Sequence, residues 1–528
     1  MSTPCQVLIA GRWRDAAIAG TFQATNPATC NAIPDVYPVS QWSDCDAALE
    51  AAADAAEAMR RLGPDKCAEF LDAMATGIEG RAAEIVELAN QETALPVSPR
   101  LADAELPRTV SQLRQAAAAA REGTWSMPTI DTAAGIRSRM TAIGPVCVFG
   151  PNNFPLAFGS VSGGDFAAAI AAGNPVIGKA NSSHPGTTRL FAEIAFESIQ
   201  QTGMPPATVQ LIYRTSHADG ERLVADMRLG ATGYTGSRAA GLRLKAAADA
   251  AGKPIYLELS AINPVVILPG ALQERGDTLA EEFAGSCLMG AGQFCTNPGL
   301  VLLLASPAAD AFIESVANRF SQGPVGTLLS QSVAKTLESN IQTIQKAGAE
   351  VVAGGHVGGG AGFSFENTLL RVDGARFLEN PAALQTEAFG NASLLVVADK
   401  VDQAEAILRQ LEGSLTGCIY SHTQGEDDAL YDRLAPALRP RVGRLLNDKM
   451  PTGVAVSPAM QHGGPYPATG HPGFTAVGIP ASLRRFAMLE CYDNVRPHRL
   501  PPILQDKNPG GAAWRVVDGV WTQADIGV

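Results

Sequence analysis

Val146-Cys147-Val148-Phe149-Gly150, Pro175-Val176-Ile177-Gly178-Lys179 and Val209-Gln210-Leu211-Ile212-Tyr213 decide the fold class. Each is a short apolar run of strand length, and helical patterns separate them, at Ser162 to Ala172 and Gly186 to Gln201. The series continues through Ala231-Thr232-Gly233-Tyr234-Thr235-Gly236-Ser237 into a helix ending near Ala250, then Ile255 to Leu259. Strands alternating with helices predict an α/β protein built on a parallel, doubly wound sheet. Ligands of such sheets bind outside the carboxyl ends of the strands.

Working outward, a second αβ series occupies about 260–457, with strands near 264–268, 300–304, 393–397 and 416–420. Upstream, residues 6–38 alternate and carry turn residues, which predicts antiparallel β structure. Residues 43–120 are rich in alanine and read as helices. The segment 124–143 reads as a hairpin, either projecting or an ordinary surface feature, and the strand-like stretch 484–492 could pair with it. The tail past Pro501 carries Trp514 and Trp521, so it is expected to pack. The Gly354–Gly362 stretch reads as a connector, with His356 solvated.

The 528 residues are 46% hydrophobic and 17% charged, enough to bury two or three domain cores. A net charge of −12 argues against nucleic acid, which demands basic surface. The nine cysteines are an odd, scattered set with no C-x-x-C, as expected of reduced thiols in the cytoplasm. The N-terminus lacks a basic signal-peptide start, and no apolar run is long enough for a membrane span.

Two stretches carry chemistry. In Gly290-Ala291-Gly292-Gln293-Phe294-Cys295-Thr296-Asn297-Pro298-Gly299 a thiol sits in a glycine-rich loop that a ligand can approach closely. It follows a helical pattern, Thr278 to Met289, in which Cys287 reads as core. In Ile255-Tyr256-Leu257-Glu258-Leu259 one carboxylate stands in an apolar strand, where a charge is costly unless paired or functional.

Gly-Gln-Phe-Cys-Thr-Asn, Leu-Glu-Leu-x-x-x-Asn-Pro and Asn153-Phe154-Pro155-Leu156 together resemble the aldehyde dehydrogenase superfamily, in its order and near its spacing, over about residues 5–500. The resemblance implies two doubly wound αβα domains, with a Rossmann-like cofactor domain in 1–123 and 144–259 and a catalytic domain in 260–457. It also implies an oligomerisation arm from 124–143 and 480–500, leaving 501–528 as a C-terminal tail and favouring a homodimer or dimer of dimers. By the same resemblance Cys295 is the nucleophile that attacks an aldehyde, Glu258 the base for thioester hydrolysis, and Asn153 a donor to the alkoxide. The adjacent Asn152 reads as a turn residue.

For the cofactor, the resemblance assigns Lys179 to ribose hydroxyls. Gly236, Ser237 and Gly241 open a helix whose N-terminal amides can receive pyrophosphate. Glu387 and Phe389 fall in a Glu-x-Phe-Gly match that would hold the nicotinamide ribose and flank the ring; Asn391 stands where proline is usual. Ser182 occupies a place where an acid often favours NAD. With Arg214 available to meet a 2′-phosphate, or else simply exposed, NADP is expected and NAD is the alternative.

Several of these stretches, with Gly163-Gly164-Asp165, His184-Pro185-Gly186 and His462-Gly463-Gly464-Pro465, are similar to the branch that oxidises 2-oxoglutarate semialdehyde. The same branch includes fatty-aldehyde enzymes, and a catalytically inactive relative is the remaining alternative. A substrate carboxylate wants an arginine. Arg108, with Gln112 one turn on, and Arg114 are the candidates on one helix, as against solvated positions. Phe154, Phe294 and Thr296 complete the expected substrate-binding set. No metal ligand set is expected.

Overall fold

The computed structural model describes residues 3–527. Its first sheet has seven strands in the order Ile255–Glu258, Ala231–Thr235, Val146–Phe149, Val176–Lys179, Val209–Ile212, Val7–Ile9, Arg12–Arg14. The first five run parallel, Val7–Ile9 runs antiparallel to Val209–Ile212, and Arg12–Arg14 runs antiparallel to Val7–Ile9. Strand order reverses at Val146–Phe149, which opens a crevice at the carboxyl edge. The helices Gly164–Ala171, Pro185–Thr202 and Arg238–Ala250 are the crossovers. The expected β structure at the N-terminus is present, and its first two strands extend this sheet.

A second seven-stranded sheet runs Glu350–Ala353, Thr368–Asp373, Ala392–Ala398, Leu300–Leu304, Pro264–Ile267, Ser414–Tyr420, Val442–Asn447. Four of these were legible. Glu350–Ala353, Thr368–Asp373 and Val442–Asn447 were not, because two are partly exposed edge strands lacking a continuous apolar run. The short strand Arg214–Thr215 and the helix His217–Val224 were also missed. The glycine-rich stretch 354–362 links Ala353 to Thr368, and His356 is exposed.

The hairpin exists. Ile136–Ala142 pairs with Thr129–Asp131 on one side and with Ala487–Asp493 on the other. Residues Ala481–Phe486 form a 3-10 turn, so the terminal strand starts at Ala487, later than the expected 484. The tail packs, though not through its tryptophans: Trp514 and Trp521 are 43% and 45% exposed, whereas Leu504 and Arg515 are fully buried. Arg515–Val517 lies parallel to Thr129–Asp131 and pairs with Val520–Thr522, which closes a five-stranded sheet. Among the described residues no helix is long and apolar enough to cross a membrane.

Candidate active site

The carboxyl edge of the first sheet faces the amino edge of the second. Lys179 is registered with Phe149 and Ile212, and Glu258 with Thr235, so both leave the sheet on one side. Cys295 lies in the loop before Leu300–Leu304, and Asn263 immediately before Pro264–Ile267. Asn263 ties that loop down. Its Nδ2 donates to the carbonyls of Cys295 (2.9 Å) and Asn297 (3.0 Å), and its Oδ1 accepts from the N–H and hydroxyl of Thr416. Gly292 permits the loop's close approach, because a Cβ there would meet the Gly390 oxygen at 2.0 Å. Cys287 is fully buried on the helix Pro269–Leu288, as expected.

Cys295 is half-buried, and its Sγ lies 3.5 Å from Nε2 of His462. The same nitrogen is 2.9 Å from Oε1 of Glu258. Both His462 and Glu258 are buried, at 1% and 5% exposure. Burial works against a charged ring. The Glu258 carboxylate and the Cys295 sulfur outweigh it, by charge and hydrogen bonding, and hold the imidazole well above its ordinary pKa. An imidazole between a thiol and a carboxylate can take the thiol's proton.

The sequence around His462 assigns it no role. Its segment has no periodicity, and only folding brings it to Glu258: Leu259 N–H donates to the Ala468 carbonyl at 2.8 Å and Glu258 bridges Thr469. The available signal was a histidine inside a Gly-Gly-Pro loop.

Asn153 is buried, and its Nδ2 donates to the Gln293 carbonyl at 2.9 Å, two residues before Cys295. One amide hydrogen is therefore committed to the thiol loop, and the other is left for a ligand. Arg100, another unforeseen residue, donates to the Asn153 carbonyl at 2.9 Å and pairs with buried Glu105 at 3.0 Å. Its guanidinium lies 4.0 Å from the Phe154 ring centroid.

Phe154, Phe158 and Phe294 pack edge to face, with centroids 5.3 and 5.5 Å apart, and Phe158 neighbours His462 at 5.9 Å. Val454, Val456 and Met460 extend this apolar wall. Arg108 lies along it, 5.0 Å from the Phe158 centroid and within electrostatic reach of Cys295 and Glu258. Its Nε donates to Gln112 (3.1 Å) and its Nη1 to the Val454 carbonyl (3.1 Å). Among the described residues its Nη2 is buried with no partner. Gln112 is itself fixed to the Ala157 carbonyl at 2.9 Å. Arg114 instead forms a surface ion pair with Glu79, away from this wall. Thr296 is buried, and its hydroxyl accepts from the Gly453 N–H at 3.2 Å, which anchors the 453 loop.

Of the expected dinucleotide residues, Lys179 ends a strand at the first sheet's carboxyl edge, and Gly236 and Ser237 follow the strand Ala231–Thr235 there. Burial, and secondarily the charge of Arg214, lowers Lys179 to about 8. Ser182 lies in the turn after Val176–Lys179. Arg214 is exposed, its guanidinium 5.9 Å from the Phe22 centroid. The helix Arg238–Ala250 begins after Gly236 and Ser237 with no side chain capping its first amides, which leaves them free for an anion. Gly241 lets this helix close on the sheet, since a Cβ would meet Leu259 at 2.5 Å.

Glu387 and Phe389 line a small cleft with Ala261, Gly292 and Phe294. Burial pushes Glu387 up to about 7, partly offset by the Ser260 hydroxyl and the Ala261 N–H. Asn391 is buried and donates to Phe365 and Asn367, so it braces the loop where a proline was expected. These groups fit a dinucleotide: an anion-ready helix start, a strand-end amine and a half-buried acid beside the thiol loop.

A family model described as the aldehyde dehydrogenase family matches residues 13–463. The chain is 39% identical to alpha-ketoglutaric semialdehyde dehydrogenase 2 of Azospirillum brasilense, over 94% of this chain and 95% of that one. It is 34% identical to alpha-ketoglutaric semialdehyde dehydrogenase of Acinetobacter baylyi, over 97% of each. Among solved structures, that of PnpE from Pseudomonas sp. WBC-3 superposes with a TM-score of 0.79 at 23% identity, over 94% of this chain and 99% of that one. With the thiol, acid and amide of the family's motifs meeting between two doubly wound sheets, the chain belongs to the aldehyde dehydrogenase family.

Proposed function

We propose that this protein oxidises 2-oxoglutarate semialdehyde to 2-oxoglutarate with NADP as the preferred acceptor and NAD as the alternative. The observation that carries the substrate is the buried Nη2 of half-buried Arg108, unpartnered among the described residues and within electrostatic reach of Cys295. A buried guanidinium nitrogen without an acceptor is costly, and a substrate carboxylate supplies one. Two relatives alike over nearly their whole length carry the name of this activity.

In this reading His462 takes the proton of Cys295, and the thiolate adds to the aldehyde carbon. The resulting alkoxide is met by the remaining Asn153 amide hydrogen and by the Cys295 N–H. A nicotinamide held by the residues named below would supply the hydride acceptor for oxidation of the Cys295-bound carbon to a thioester. Glu258 then draws a proton from water, hydroxide attacks the thioester carbon, and the acid leaves as the Cys295–carbon bond breaks.

Lys179, Ser182, Gly236, Ser237, Gly241, Glu387 and Phe389 hold the dinucleotide, and Arg214 meets a 2′-phosphate. Residues 1–123 with 144–259 form the dinucleotide-binding unit and 260–457 the thiol unit. The arm, 124–143 with 480–500, joins a second copy through the outer strand Ala487–Asp493, whose Met488 and Leu489 are exposed.

The apolar wall of Phe154, Phe158, Phe294 and Met460 favours a second reading, a medium- or long-chain aldehyde. The test compares kcat/KM for 2-oxoglutarate semialdehyde, succinate semialdehyde and decanal. A ketoacid preference of about tenfold or more, lost in Arg108→Met, is expected. A preference for decanal would overturn the assignment, and no nicotinamide reduction with any aldehyde would point to an inactive relative.

A further inference from the structure

Glu258, Cys295 and His462 each present one metal-binding atom, and the three atoms lie within 4.8 Å of one another. We infer that these three side chains form a binding site for a borderline-soft divalent cation of the zinc class, and that such a cation reversibly switches the enzyme off. The switching-off rests on the roles proposed above for Cys295 and Glu258, whereas the cation site rests on the placement of the three side chains and stands whichever aldehyde is oxidised.

The donor set is one thiolate sulfur, one imidazole nitrogen and one carboxylate oxygen. That combination suits zinc, whereas magnesium and calcium take cages of oxygen. In a tetrahedral site with zinc–sulfur and zinc–nitrogen bonds of ordinary length, the two donor atoms stand about 3.5 Å apart. The Cys295 Sγ to His462 Nε2 separation is 3.5 Å. Nε2 and Oε1 of Glu258, at 2.9 Å, need to open by roughly 0.4 Å to reach a tetrahedral spacing.

Two further observations point to a ligand. Among the described residues the second carboxylate oxygen of Glu258 is buried without a partner, so the acid has spare coordinating capacity. The thiolate and carboxylate also neutralise a divalent charge in a buried place. The fourth position is left for water or a small anion, as in open zinc sites.

Nδ1 of His462 likewise has no partner among the described residues. Zinc-bound histidines usually donate that proton to an acceptor, so this site lacks the support that tightens structural zinc. Affinity on the order of micromolar is expected rather than permanent loading. A cation held here occupies the sulfur, the imidazole and the acid together, so inhibition competes with aldehyde and a chelator reverses it.

The experiment uses the full-length enzyme without dinucleotide. Cobalt is titrated as a spectroscopic stand-in for zinc, following the thiolate-to-metal charge-transfer band. In parallel, the rate at which Cys295 is alkylated by iodoacetamide is measured by peptide mass spectrometry with and without zinc. One cobalt per chain is expected, with the band absent in Cys295→Ser and affinity falling at least about tenfold in His462→Asn and Glu258→Gln. Saturating zinc should slow Cys295 alkylation at least about tenfold, a readout on the unaltered protein that does not depend on how the variants fold. Unchanged alkylation in saturating zinc would overturn the proposal, as would equal metal affinity in wild type and a folded His462→Asn.

Discussion

The two seven-stranded sheets contribute opposite edges to one seam. The first offers its carboxyl edge, where strands end in charged groups, Lys179 and Glu258. The second offers its amino edge, where loops carry Asn263 and Cys295 before the strands begin. Charge comes from one half and the thiol from the other, so neither sheet holds the whole candidate site. The difference teaches that alignment across the seam, rather than the groups themselves, sets the chemistry. It also says how each half should fail.

The largest failure is on the thiol side. Cys295→Ala removes the proposed nucleophile and leaves the first sheet's edge intact. Aldehyde oxidation should fall by roughly four orders of magnitude or more, while dinucleotide binding, followed by fluorescence titration, stays within about twofold. If dinucleotide affinity collapses as well, the two edges are not independent and the comparison breaks.

Asn263→Ala tests alignment without touching a reacting atom. It orphans the carbonyls of Cys295 and Asn297 and the Thr416 N–H together. Losing such a buried network costs about 2–4 kcal/mol of stability, and a misplaced thiol costs about a hundredfold in kcat. Thermal unfolding and steady-state kinetics check both. A stable variant with normal kcat would show that the loop is held by the glycine packing alone.

How much was legible follows the same divide. The first sheet's five parallel strands are short, mostly apolar runs alternating with helices, and their ends could be placed from sequence. So could Cys295, because a thiol among glycines is conspicuous. His462 has no role that its local sequence assigns. A loop residue's neighbours depend on long-range closure, here a contact between residues 204 positions apart. Arg100 was missed for a related reason: its work is to hold Asn153 and Glu105, a job no local pattern marks. The tail's packing was expected from Trp514 and Trp521, yet Arg515 does it, fully buried and donating to the carbonyls of Asp506 and Ala524. Hydrophobicity predicted that burial occurs but named the wrong side chains.

Arg108 and Arg114 share a helix and separate cleanly in space, one against the phenylalanine wall and one paired with Glu79 on the surface. Arg108→Met should raise KM for a ketoacid aldehyde about a hundredfold and change decanal oxidation by less than about threefold. Arg114→Met should leave both within about twofold, since exposed ion pairs contribute little. Equal effects of the two variants would mean that no carboxylate is read at Arg108.

The smallest effect lies at the first sheet's edge and depends on pH. Burial and the charge of Arg214 lower Lys179 to about 8, so its amine is mostly charged at neutral pH and mostly neutral above about 9. A polyanionic dinucleotide favours the charged amine. As pH rises through about 8, the free enzyme loses that charge, and KM for the dinucleotide should climb by up to roughly tenfold per pH unit. Lys179→Arg keeps its charge throughout and should flatten the profile over the same range. Arg214→Ser removes a neighbouring positive charge, so the rise should begin at higher pH, and the preference for NADP over NAD should shrink about tenfold. If the profile moves while cofactor preference does not, Arg214 acts on Lys179 and never touches the 2′-phosphate. Measuring the two cofactors side by side across pH therefore separates an electrostatic neighbour from a phosphate ligand.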